Sequence, residues 1–374
     1  GREGDFDTSS GFAVLDRIVD KILEDFVELF AVAGEVGGLH IDIEGDIHGR
    51  VVRMGLQAFA NLAEEQDKGS WKRRLGVFGD LPTRFLMRGL KVAPWFVEPL
   101  LVAAWTALFY GVAAEQRRAV VGNLRALHPR WGGLRAWIGG YRVFWNFAAT
   151  YVDAMRCETG TGEVDWVIEG MDAFDQLAAT EEGCLILTAH MGNYDMAAPL
   201  FSSKFGRTIY AVRAPEREPE MQKIREAELR EKERLNPLFR TLYNDGGEML
   251  GVELARLLRE GNVVAVQGDR VVFEVSPMEV EVEPGLMMKL PRGPLFLARV
   301  SEVTVFPLFI LRDGWRRYRV KVFPPLELPP RRRGRGEDPA VKAWAGAILG
   351  VVRPNWAQWF VFEPVFRREK GGAA

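Results

Sequence analysis

The sequence predicts an α/β fold, a mostly parallel or mixed central sheet covered by helices on both faces. Three observations predict it. Short strand-like runs alternate with helical segments through most of the second half of the chain. Those runs are apolar throughout rather than on alternate residues, the pattern of strands buried on both sides. With 374 residues, 48% apolar and 27% charged, the chain is also long enough to fill such a core.

In order along the chain, GFAVLDRIVDKILEDFVELFAVA (11–33) spaces apolar residues by three and four, which predicts an amphipathic helix. LHIDIEGDIHGRVV alternates like a strand pair with a Glu-Gly-Asp turn, and QAFANLAEEQDKG reads as a short helix ending near Gly69. His40 and His48 lie in this unit at a spacing that suits structural or exposed roles rather than a metal site. Residues 134–156 form an aromatic-rich helix. VDWVIEGMDAF then predicts a strand running into a helix through DAFDQLAAT, and GCLILTAH a strongly buried strand. TIYAVRA is the next strand. The charged helix of residues 216–235 reads as solvent-facing or as a flap. GVELARLLREG (helix), NVVAVQGD (strand), a helix around PLFLARV, and strands in TVFPLFILR and YRVKVFPPLEL complete the alternation, with PPRRRGRGEDP as a surface loop.

Charge divides the chain in two. The net charge is −2, yet residues 1–70 hold 15 acidic and 6 basic side chains, whereas residues 71–374 hold 36 acidic and 43 basic. Residues 1–70 are therefore an acidic appendage of unassigned role, and 71–374 a mildly basic body suited to anionic partners such as phospholipid headgroups, acidic carrier proteins or phosphorylated sugars. No nucleic-acid-binding motif accompanies the charge. The two cysteines, Cys157 and Cys184, make neither a disulfide framework nor a metal site, which suits a reducing compartment. The chain starts at Gly1 with no signal peptide, which suggests a processed chain or a fragment.

Residues 92–114 are almost wholly apolar, with Glu98 as the one charge. A spanning helix needs roughly 20 apolar residues, and Glu98 and Pro99 leave too few. Two readings compete for the segment of about 85–114: a buried core helix, or a helix lying in the membrane interface. The second is favoured. It would have Trp95, Trp105 and Tyr110 as interfacial aromatics and Lys72, Arg73, Arg74, Arg84, Arg88 and Lys91 facing headgroups.

The chemistry-bearing stretch is TAHMGNYDMAAP (188–199). His190 falls where a buried strand ends and a helix begins, the place where open α/β sheets bind ligands. Asn193 or Asp195 would cap that helix. Asp195, about one turn onward, would accept a hydrogen bond from one imidazole nitrogen and leave the other as a general base. No Gly-x-Ser-x-Gly elbow, dinucleotide fingerprint or phosphate loop is present. His190 would then activate an external hydroxyl. The bland alternative is a chance His-x-x-x-x-Asp spacing.

The same stretch resembles the His-x-x-x-x-Asp/Glu block of the bacterial lipid A biosynthesis (late) acyltransferase family, within the glycerolipid acyltransferase superfamily. The resemblance continues, in the expected order, through RRAVVGNLRALHP, VELARLLREGNVVAVQGDRV, LPRGPLFLARVSEVTVFPLFILRDG and RPNWAQWFVFEPVF, covering roughly residues 75–367. It implies transfer of a fatty acyl group, normally from an acyl carrier protein thioester, to a hydroxyl of a membrane-embedded glycolipid or related acceptor. The expected location is the cytoplasmic face of the bacterial inner membrane, peripheral or monotopic, with no cofactor or metal. Carried onto this chain, His190 is the base and Asp195 its orienting partner. Arg213 contacts the acceptor phosphate or the oxyanion, Asp269 supports the site, and Arg292 with Gly293 shapes the acyl pocket. The chain departs from the pattern at Arg270, where the family often has Gln, and in MEVEVEPGLMMKLPRGP, which replaces a more Phe- and Gly-rich passage. Two alternatives keep the fold without the transfer: a non-catalytic membrane-surface lipid-binding module with a degenerate site, and a hydrolase using water.

Overall fold

The computed structural model describes residues 98–158, 163–216, 219–244, 249–271, 277–329 and 338–368. The acidic appendage with His40 and His48, the cationic cluster, Trp95 and most of the arginine-rich loop lie outside these residues. So does the start of the expected interface helix.

Seven strands form one mixed sheet: β1 (Asp165–Glu169), β2 (Cys184–Thr188), β3 (Ile209–Arg213), β4 (Phe239–Tyr243), β5 (Val263–Gln267), β8 (Thr304–Gly314) and β9 (Arg317–Val322). Their spatial order is β1-β9-β8-β2-β5-β3-β4. Neighbours are parallel except β8 and β9, a hairpin that reverses direction and leaves β1 and β9 antiparallel to the other five. A second, three-stranded antiparallel sheet joins β6 (Met278–Glu283), β7 (Leu286–Leu290) and β10 (Phe366–Arg368). The α/β prediction holds, with the mixed rather than the parallel form.

The apolar run CLILT explains its own position. All five residues of β2 are buried. Leu185 and Leu187 pack on one face, against α7 (Met249–Arg259), α8 (Gly293–Ser301) and α9 (Pro339–Val352). Cys184 and Ile186 pack on the other, against α4 (Met171–Ala179) and α5 (Tyr194–Phe205). A strand covered twice has no room for a polar face.

A helical layer precedes the sheet: α1 (Glu98–Val112), α2 (Ala114–Leu127) and α3 (Gly133–Glu158). Here one expectation is corrected. Trp105 and Tyr110, assigned to a lipid interface, are only 7% and 3% exposed. The Tyr110 ring meets Trp137, Tyr141 and Phe144 edge-on, and its hydroxyl donates to the Trp137 carbonyl at 2.5 Å. These rings are the core of the helical layer, and Leu100 and Leu108 are the large apolar residues of α1 that face outward. Among the described residues no helix is long and apolar enough to cross a membrane.

A buried carboxylate ties this layer to the sheet. Asp153 on α3, wholly buried, accepts from Arg312 Nε at 3.0 Å and from Tyr318 Oη at 2.7 Å. Four features were not read from the sequence: the edge strand β4, the β6–β7 hairpin inside the departing passage 278–294, the helix α9 and the strand β10. The helix α6 (Pro219–Leu235), expected to face solvent, buries Leu229 and packs on β4.

Candidate active site

β2 and β5 are parallel neighbours in the middle of the sheet, with Thr188 opposite Gln267. From β2 the chain leaves into α5 on one face, and from β5 it passes to the β6–β7 hairpin, which packs with α9 on the other. Two adjacent strands diverging in this way open a crevice at their carboxyl ends. Gly268 N donates to the Thr188 carbonyl at 2.9 Å, so the two strands stay in register beyond their ends. Two residues past each strand, His190 and Asp269 therefore stand side by side.

Their contact is close and buried. His190 Nδ1 lies 2.7 Å from Asp269 Oδ1, and His190 N donates to Oδ2 at 2.9 Å. Trp359 Nε1 donates to the same Oδ2 at 2.8 Å. The Asp269 side chain is completely buried. Burial by itself would raise its pKa, but the interaction with His190, through two hydrogen bonds, and the Trp359 indole hold the carboxyl below the usual range. An ionised Asp269 accepts, so Nδ1 carries the imidazole proton and Nε2 presents its lone pair. That lone pair is engaged. Arg270 Nε donates to it at 3.1 Å, while Arg270 Nη1 donates to both Glu363 oxygens at 3.0 and 2.9 Å.

The loop that carries His190 is fixed by its neighbours. Phe360 N donates to the His190 carbonyl at 2.7 Å, and Met191 bridges to Trp359. Gly192 has φ +53°, and a Cβ there would lie 2.4 Å from the Ile310 carbonyl oxygen. Only glycine fits. Asn193 occupies the N-cap position of α5 but does not cap with its side chain; Nδ2 donates instead to the Thr150 carbonyl at 3.1 Å and anchors the loop to α3.

Asp195 is not where the sequence spacing put it. It begins α5 on the side facing β3 and pairs with Arg213, at the end of that strand. Burial pushes the Asp195 carboxyl up, yet Arg213, then Arg225 and Lys232 of α6, outweigh it and bring the carboxyl to about 2. The carboxylate on the imidazole is Asp269 instead. The i, i+5 spacing suggested proximity along one helix, but the turn at Gly192 and the strand register decide the partner. Arg292 precedes the first turn of α8, is exposed, and does not line the cavity described next.

That cavity, of about 70 Å³, runs between α5 and the sheet. Ile186, Phe201, Phe205, Phe239, Leu308 and Ile310 make most of its wall. Asp195, Arg213, Thr188 and Gln267 supply its polar groups. Tyr194 lines it too, and its ring stands edge-on to His190 with centroids 5.8 Å apart. Among the described residues no group of three or more His, Cys, Asp or Glu is placed to hold a metal ion.

The family model described as bacterial lipid A biosynthesis acyltransferase matches residues 143–368, the segment that carries every group above. The chain belongs to this family. As a member it is an acyltransferase acting on lipid A-like substrates. No curated protein matches it. In this acyltransferase the sequence reading missed Trp359, Glu363 and Arg225. The first two lie in RPNWAQWFVFEPVF, a block that carried the resemblance but no assigned role. The third lies in the charged helix that was read as solvent-facing or as a flap.

Proposed function

We propose that the protein is a membrane-associated O-acyltransferase in which His190 is the general base. It moves a fatty acyl group from an acyl thioester, carried by acyl carrier protein, to a hydroxyl of a glycolipid or related lipid. Asp269 fixes the imidazole tautomer, so Nε2 takes the acceptor proton while the alkoxide attacks the thioester carbonyl; the tetrahedral intermediate then collapses with cleavage of the C–S bond, and the departing carrier thiolate takes the proton back from Nε2. The carbonyl end of the acyl chain enters the apolar cavity under α5. Arg213, held by Asp195 at the cavity's polar end, binds an acceptor phosphate or the oxyanion. The proposed setting is the cytoplasmic face of the bacterial inner membrane, where a basic body meets anionic headgroups.

One observation carries this reading: an imidazole with a buried carboxylate on Nδ1 at the carboxyl edge of the sheet, one side chain away from an apolar cavity. The test is transfer from acyl carrier protein thioester to a lipid A precursor by wild type and His190→Ala. Loss of a general base lowers the rate by about 10²–10⁴-fold. Equal product from the two proteins removes the assignment, and free fatty acid in place of acylated lipid would favour hydrolysis.

A further inference from the structure

The wall of the α5 cavity contains two polar atoms that its apolar character does not explain. Thr188 Oγ1 and Gln267 Nε2 are both buried, and neither has a partner within 3.5 Å, although the Tyr194 hydroxyl lies near enough to Gln267 to interact with it. Both residues line the cavity. Thr188 ends β2 and is 8% exposed; Gln267 ends β5 and is its register partner. On adjacent parallel strands, register partners point to the same face from backbones about 4.8 Å apart. Their side-chain donors therefore converge on one region of the cavity, amid Ile186, Ala265, Leu308 and Ile310.

Buried donors are nearly always satisfied, so a pair left open and aimed into one cavity marks a place where something else supplies the acceptor. A hydroxyl and an amide N–H at this separation suit a single ligand oxygen receiving two hydrogen bonds. An apolar wall on either side suits a hydrocarbon attached to that oxygen.

We propose that Thr188 and Gln267 hold an oxygen of the fatty acyl group, donating to it from Oγ1 and Nε2. This rests on the acyl-transfer reading for the occupant of the cavity. The oxygen has two possible sources, the thioester carbonyl or a hydroxyl on the chain. The carbonyl is the one at which charge develops during transfer, so two donors on it would act as an oxyanion site.

Thr188→Val and Gln267→Met remove the donors with little change of volume, and Thr188→Ser keeps the hydroxyl. Turnover is measured with dodecanoyl and 3-hydroxydodecanoyl carrier-protein thioesters, separating kcat from KM. A fall of about 10²-fold in kcat with both donors, restored in Thr188→Ser, assigns the carbonyl. A fall confined to the hydroxylated donor assigns the chain hydroxyl. Variants that turn over both donors like the wild type overturn the proposal. Calorimetric binding of dodecanoic acid is read alongside, independently of turnover. The wild type should bind it about tenfold more tightly than either variant, through hydrogen bonds to the carboxylate. Equal binding by all three overturns the proposal even if His190→Ala abolishes transfer. Unequal binding sustains it even if His190 proves dispensable.

Discussion

Arg270 donates from Nε to the one imidazole nitrogen of His190 that Asp269 leaves available, and Glu363 holds the other end of the same guanidinium. A hydroxyl seeking that nitrogen must displace an arginine. Arg270→Gln should therefore raise the rate at which diethyl pyrocarbonate modifies His190 by about tenfold, the weight of one charge-assisted hydrogen bond. Peptide mass spectrometry of timed samples reads this directly. An unchanged rate would show that the arginine does not guard the ring.

The two carboxylates near the histidine are separable by mutation. Asp269→Asn removes the acceptor on Nδ1 and permits the wrong tautomer, so kcat should fall by about 10²–10⁴-fold, as for loss of the base. Asp195→Asn leaves the imidazole untouched and frees Arg213; its effect should appear chiefly in KM for a phosphorylated acceptor. Steady-state kinetics on both variants decides. The reverse ranking would return Asp195 to the imidazole.

Gly192→Ala should destabilise the fold by about 2 kcal/mol or more, combining a left-handed backbone with a forced contact on a backbone carbonyl. Urea unfolding measures it. Gly251→Ala, in α7 with open space around its Cβ, should be neutral or stabilising and serves as the control.

Asp195 also makes a pH prediction. Its carboxyl is held at about 2, against 3.8 for the free group. A depressed acid stabilises the folded state above its unfolded value and loses that contribution as pH falls. The interval is therefore about pH 4 down to about pH 2, over which roughly 2 kcal/mol disappears. Stability of the wild type should fall more steeply through this interval than that of Asp195→Asn, as followed by urea unfolding at a series of pH values. Parallel slopes would contradict the ion pair with Arg213.

Much of the architecture was legible because it is written in local patterns. CLILT, IYAVR and VVAVQ are apolar runs bounded by turn residues, and each became a central strand. FRTLY was passed over because it is mixed in polarity and lies at the edge of the sheet. His190 was legible too, as the residue after a buried run. Its partner was not. Asp269 is 79 residues away, and only the adjacency of β2 and β5 brings it into contact. A local spacing offered Asp195 in its place. For the same reason Trp105 and Tyr110 were sent to a lipid surface: an apolar helix has the same sequence whether its cover is lipid or another helix. The aromatic rings of α3 supply that cover.

The segment from Gln358 to Glu363 braces the site at three points, through Trp359 to Asp269, Glu363 to Arg270 and Phe360 to the His190 backbone. It lies 90 residues or more downstream of the groups it holds. On the ribosome, the histidine and its aspartate emerge well before this brace exists. The nascent protein thus carries His190 and Asp269 without their brace until that late stretch has been made and has met the carboxyl edge of the sheet.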